Sequence, residues 1–140
     1  MPRHRNGQKA KEGIVKMKIA RPDTAFSLQP KTAKARKDSG YLAWLHSVPC
    51  IVTGTLPVEA AHLSTANPKY GHMGRGKGQK SADRWALPLS PEEHRMQHRM
   101  NERAYWDILS IDPWLTALVL HGLYLDGVSP EDAYRIIRQR

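Results

Sequence analysis

The sequence predicts a small α+β domain, and three observations predict it. Two short stretches of strand character flank a long loop rich in Gly and Lys. Helix starts at Ser90-Pro91, Asp112-Pro113 and Ser129-Pro130 follow the second stretch. The chain has 140 residues, the length of one domain with one modest core.

Residues 1–38 read as a basic N-terminal arm, mostly disordered, because they combine few large apolar residues with many Lys, Arg, Gly and Pro. Residues 1–37 hold eleven Lys or Arg against Glu12 and Asp23, which accounts for the whole net charge of +9. A basic tail on a neutral domain points to a polyanionic partner, most often nucleic acid. Within the arm, "GIVKMKIA" alternates well enough for a short strand. No apolar stretch follows the basic start, so no secretory signal is expected. The longest apolar run, "WLTALVLHGLYL", is too short to span a bilayer, and no membrane partner is expected. The single cysteine, Cys50, permits no internal disulfide and fits a cytoplasmic protein.

Order is expected from Ser39. "SGYLAWLHSV" spaces Leu42, Leu45 and Val48 as a short helix, which Pro49 stops. "CIVTGTLPVEAAHL" reads as strand, Thr-Gly turn and strand, with Val58 and His62 on one face. Residues 64–84 form a loop long enough to be either functional or disordered. "WALPL", residues 85–89, is apolar enough for a buried second strand, and Pro88 places it at an edge or a strand end. Ser90 then starts a helix as N-cap, with Pro91 in the first turn and Glu93 closing a capping box. Met96, Met100, Ala104 and Leu109 carry that helix toward Ser110. A second helix starts at Asp112-Pro113 with the stripe Leu115, Leu118 and Val119. A third starts at Ser129-Pro130 and includes Tyr134, Ile136 and Ile137. Trp44, Trp85, Trp106 and Trp114 sit in apolar stretches and are expected in the core, while Tyr70 is free to stack on a base.

The chemistry is carried by histidines. His94 and His98 stand four residues apart, so on a helix both imidazoles share a face and form a two-point chelate for a divalent ion. That spacing alone more often describes solvated side chains. His62, on a strand that a loop and a second strand connect to this helix, adds a third imidazole opposite the pair. The loop offers Arg75, Lys77, Lys80 and Arg84 on a flexible backbone, and with Lys69 these would track phosphates without reading bases. The alternative is a solvated loop. "GHMGRGKG" places Gly71, Gly76 and Lys77 as a nucleotide-binding loop would. Gly78 stands where that loop needs Ser or Thr, however, and no helix signal follows, which excludes an NTPase.

The pieces "PCIVTG", "EAAHL", "GHMGRGKG", Asp83, "PLS" and "EHRMQH" occur in this order within residues 41–107. In order and spacing they resemble the HNH, or His-Me finger, endonucleases, nearest to phage and prophage members of the recombination-enhancement type. The resemblance implies a ββα-metal core with flanking helices: a nuclease domain at 39–110 and a C-terminal helical pair at 111–140 packed on the same domain. It implies a metal-dependent DNA endonuclease with His62 as general base and His94 and His98 as metal ligands. Asp83 is the expected further ligand, with Glu59 or water in reserve. One divalent ion is expected, with Mg, Mn, Zn and Ni not distinguished, and DNA is the expected partner in the cytoplasm of a host cell.

Two departures from the family pattern matter. The family's structural zinc needs two Cys pairs or their equivalent, but this chain has Thr53 after Cys50 and Ser90 with Glu93 at the other pair, so no structural zinc is expected. Ala61 stands where many relatives carry a ligand. Ala61 and the missing cysteines favour an alternative, a non-catalytic DNA-binding protein on a degenerate HNH fold. A structural or packaging accessory with a nucleic-acid-binding tail is a weaker third.

Overall fold

Pro88 shows how the small sheet is assembled. In the computed structural model, β1 (Glu59–His62) pairs antiparallel with β2 (Ala86–Leu89), in the register Glu59 to Leu89 and His62 to Ala86. The carbonyl of Pro88 accepts a bond from the amide of Ile51 at 3.2 Å. The N and C=O of one strand residue point to the same side, so the missing N–H of Pro88 faces away from β1 and costs no ladder bond. All four residues of β2 are buried.

The structure describes residues 36–74 and 81–139. The expected disorder of the arm and its strand at 13–20 lie outside them. The chain divides into the units Met1–Lys34 and Ala35–Arg140, and all the described residues lie in the second. This unit is α+β, with five helices and one two-stranded sheet among the described residues.

Helix α1 (Ser39–Leu45) is capped by Asp38, whose carboxylate accepts the amide of Tyr41 at 3.0 Å. Its buried face carries Tyr41 and Leu45. The Tyr41 hydroxyl donates to the carbonyl of Ala86 at 3.2 Å and ties α1 to β2. The arm was expected to end at residue 38. Its last residues instead dock on the domain, since the carbonyl of Arg36 accepts the amide of Asp83 at 3.1 Å.

The strand expected at Cys50 does not form. Past Ile51 its amides are spent locally: Gly54 N–H returns to the Cys50 carbonyl at 2.7 Å, and those of Val52 and Thr53 point at the Cys50 sulfur at 3.4 Å each. Gly54 takes a φ of 75°, which suits glycine and closes the turn. Only the second of the two expected stretches, ending at His62, is a strand.

The helix expected from Ser90 to Ser110 is two helices. α2 (Pro91–Arg99) is capped by Ser90, which accepts the amide of Glu93 at 3.2 Å. Met100 is extended, and Asn101 caps α3 (Glu102–Leu109) by accepting the amide of Ala104 at 3.1 Å. The apolar stripe runs through the break, so periodicity hid it and the cap at Asn101 reveals it. The capping box is also half formed, because the Glu93 carboxylate turns away to accept the Tyr105 hydroxyl at 2.6 Å. α4 (Pro113–Leu125) and α5 (Pro130–Arg138) start where expected, capped by Asp112 and Ser129.

Trp85, Trp106 and Trp114 are buried with Leu63, Leu87, Leu89, Ala117 and Leu120, and Trp44 packs partly buried against this core. The indole N–H of Trp44 donates to the Val128 carbonyl at 2.9 Å, and that of Trp114 to Thr65 at 3.1 Å. Both bonds hold the C-terminal helices to the part of the unit that carries the sheet. Among the described residues, no single helix is long and apolar enough to cross a membrane.

The break between α2 and α3 gives a test of opposite signs. In a continuous helix Asn101→Ala would stabilise, because alanine is the better helix former. As an N-cap, Asn101→Ala is expected to lower stability by about 1 kcal/mol and Asn101→Asp to change it little. Urea unfolding of the two variants reads the difference.

Candidate active site

His62 closes β1, and Asp83 lies in a single 3₁₀ turn (Asp83–Trp85) that runs directly into β2. Because His62 pairs with Ala86, the turn before Ala86 lies beside the end of β1. There Nε2 of His62 meets Oδ1 of Asp83 at 2.8 Å, with each side chain 15% exposed. A carboxylate only accepts, so Nε2–H donates and the lone pair is left on Nδ1. That is the form a general base needs.

Asp83 is itself held. Its Oδ2 accepts the amide of Asp38 at 2.7 Å. Burial pushes the Asp83 carboxyl up, but the Asp38 amide, the His62 ring and the charge of Lys37 outweigh it and hold the group below the usual carboxylate value. Asp83, expected as a further metal ligand, is thus engaged on both oxygens by protein partners. The structure joins its two oxygens to His62 and Asp38, and not to the helix histidines.

Those histidines do meet each other. On α2 the Nε2 atoms of His94 and His98 are 3.2 Å apart, with ring centroids at 4.7 Å. Two nitrogens at about 2.0–2.1 Å from a tetrahedral ion stand about 3.3 Å apart, so the pair fits one divalent ion. Glu59 of β1 accepts from Nδ1 of His94 at 2.8 Å, which fixes the ring and leaves Nε2 for a ligand role. Glu59, weighed as a third ligand, stands behind the first. Ala61 is fully buried and has no donor to give. Among the described residues no group of three or more His, Cys, Asp or Glu side chains is arranged to hold one ion.

The chain just past His62 is pinned by Glu102, which long-range pairing hid from the sequence. Its carboxylate accepts the amides of Ser64 at 3.1 Å and Thr65 at 2.8 Å, and Gln97 of α2 donates to it at 3.3 Å. His72 is buried. The Gly74 amide donates to its Nδ1, so its Nε2–H donates to the Leu63 carbonyl, both at 2.9 Å. The first part of the loop that mimics a nucleotide-binding motif thus closes back on the strand end.

Of the expected phosphate contacts, Lys69 and Arg84 are exposed, with their charges over the rings of Tyr70 at 5.3 Å and Trp85 at 5.0 Å. Arg75, Lys77 and Lys80 lie outside the described residues. Tyr70 is partly buried, and its hydroxyl donates to Asp112 at 2.8 Å. Two further cations were missed. Arg95 and Arg99 are exposed on α2, each directly after a site histidine, and they form a basic row beside the imidazole pair. The same four-residue spacing that marks the histidines marks them.

Where the family resemblance implies a structural zinc, other contacts hold the chain. Burial raises the Cys50 thiol, yet the hydroxyl and amide of Thr53 and the amides of Ser90 and Val52 outweigh it, and the net shift is downward. Burial, and then the neighbouring Glu93 carboxylate, hold the Tyr105 hydroxyl protonated far above its usual range.

The model of a family described as "Protein of unknown function (DUF968)" matches residues 3–107. No curated protein and no solved structure matches the chain.

The depressed Asp83 carboxyl sets a pH dependence. A group whose folded pKa lies below its unfolded value adds stability that is present above about 3.8 and is lost as pH falls through the folded value. The stability gap between wild type and Asp83→Asn is therefore expected to narrow in acid below about pH 4. Denaturant unfolding of both proteins from pH 7 to pH 2 measures it.

Proposed function

The chain belongs to the DUF968 family, and we propose that it is a metal-dependent DNA endonuclease with His62 as general base. One observation carries the reading: a strand histidine freed at Nδ1 by Asp83 and a histidine pair spaced for one ion occur on the successive elements of a ββα unit. In this reading Nδ1 of His62 takes a proton from water as the water oxygen bonds to phosphorus and the bond to the leaving oxygen breaks. Asp83 keeps the ring in the right tautomer and balances the imidazolium that forms. His94 and His98 would hold the divalent ion, with Glu59 orienting His94. When bound, the ion supplies positive charge for the scissile phosphate and the leaving oxygen. Lys69, Arg84, Arg95 and Arg99 would receive the flanking phosphates together with Arg75, Lys77, Lys80 and the basic arm. The proposed setting is the cytoplasm, and the resemblance to phage and prophage nucleases supports a phage or prophage origin.

A non-catalytic DNA-binding protein on the same fold is the second reading, favoured by the buried Ala61 directly before His62. Incubating supercoiled plasmid with the protein and Mg²⁺, Mn²⁺, Zn²⁺ or Ni²⁺ separates the two, because a mere binder shifts the plasmid without cutting it.

Variants then assign the roles. His62→Ala is expected to lose cleavage by about 100-fold or more while still binding metal in calorimetric titration. His94→Ala and His98→Ala should each lose cleavage and most metal affinity, with the fold intact because Ser90 and Pro91 still start α2. Metal loss in His62→Ala but not in His94→Ala would reverse the assignment.

The arm makes a separate contribution. Deleting residues 1–34, which spares the docked segment at 36–38, is expected to weaken DNA binding and flatten its salt dependence, since fewer counterions are released. Cleavage at saturating DNA should survive. An unchanged slope of log affinity against log salt would assign the phosphate contacts to the loop and α2 instead.

A further inference from the structure

We infer that Asp38 and His121 are positioning residues that lock the Asp83–His62 pair. The inference rests on the reading of His62 as the base. It starts from a closed circuit of contacts. His62 pairs with Ala86 across the sheet, and the Ala86 carbonyl accepts the Tyr41 hydroxyl at 3.2 Å. The Tyr41 amide donates to Oδ1 of Asp38 at 3.0 Å, the Asp38 amide donates to Oδ2 of Asp83 at 2.7 Å, and Oδ1 of Asp83 accepts from His62 at 2.8 Å. Every bond in the circuit fixes the next, and it returns to the ring it started from.

His121, on α4, braces this circuit from outside. Its Nε2 faces Oδ2 of Asp38 at 3.4 Å, a long contact, and its ring meets that of Tyr41 edge to face at 4.9 Å. It therefore touches two members of the circuit at once. It also lies beyond residues 3–107, the part the family model matches.

A plain helix cap does not need this arrangement. Serine, threonine or asparagine would cap α1 as well as aspartate. Aspartate caps the helix with one oxygen and meets an imidazole nitrogen with the other, which serine and threonine cannot do. The amide of the same residue is aimed at a carboxylate 45 positions away in sequence. When Asp38 shifts, Asp83 loses its second anchor and the His62 ring is free to turn, and small misplacements of a reacting group cost rate steeply.

The test separates positioning from capping. Asp38→Ser keeps an N-cap oxygen and loses the contact to His121. His121→Ala keeps Asp38 and removes the brace. Asp38→Asn keeps the cap and offers an amide N–H to the other tautomer of His121. In full-length protein, the Nε2–H proton of His62 is followed by nitrogen-filtered NMR, beside metal-dependent plasmid cleavage. Asp38→Ser and His121→Ala are expected to broaden that resonance away and to lower kcat by about tenfold with KM nearly unchanged, at melting temperatures close to wild type. Asp38→Asn is expected to restore both. A sharp, unmoved resonance in Asp38→Ser and His121→Ala overturns the inference whatever cleavage does, and so does an Asp38→Asn variant as impaired as Asp38→Ser. If the wild type cuts no DNA, the nuclease reading fails, and the resonance still decides whether Asp38 and His121 hold the pair.

Discussion

Four residue pairs between β1 and β2 position everything that the site uses. The ladder sets His62 opposite Ala86, which brings the turn carrying Asp83 to the end of β1, and sets Glu59 opposite Leu89, next to the start of α2. A two-stranded sheet this short is not stable alone, so the helices must hold it. α1 does so through the Tyr41 hydroxyl. α4 contributes the buried Trp114, Ala117 and Leu120 to the core that surrounds Leu87 and Leu89. One slip of register would send His62 to the opposite face and part it from Asp83.

Polar groups in the unit find partners in two ways. Some that build the frame have backbone partners, as with His72 on the Leu63 carbonyl and Glu102 on the amides of Ser64 and Thr65, and others have side chains, as with Tyr105 on Glu93. Those at the candidate site pair side chain to side chain: His62 with Asp83, His94 with Glu59, and His94 with His98. Such pairs cost more to assemble than an apolar contact of the same size, since each polar group must be stripped of water and then oriented. Several of them lie along β1, the Asp83 turn and α2.

How much of this was legible in the sequence depended on range. Helix starts at Ser90, Asp112 and Ser129 were readable because a cap and a following proline act within one turn. The helix at Ser39 and the strand ending at His62 were readable from apolar spacing. The turn at Cys50 was not, because Cys, Ile and Val favour a strand while the sulfur captures the amides that a strand would share. The break at Asn101 was hidden by an unbroken apolar stripe. At the site, the His94–His98 pair was visible because both members lie one helical turn apart. The partnership of Asp83 with His62 spans 21 positions, and its anchor at Asp38 spans 45, so neither leaves a local signature. Asp83 was singled out as a metal ligand, and the contacts it makes are with His62 and Asp38.

The proline in β2 bears on how molecules of this protein meet one another. A sheet of two strands leaves open margins where a strand from a second molecule could add and begin aggregation. Along β2 that margin is closed, because the Pro88 carbonyl is already taken by Ile51 and the residue has no N–H to offer a newcomer. Pro88 makes that side of the sheet a poor template, so a strand from a second copy finds neither a free carbonyl nor an N–H at that position.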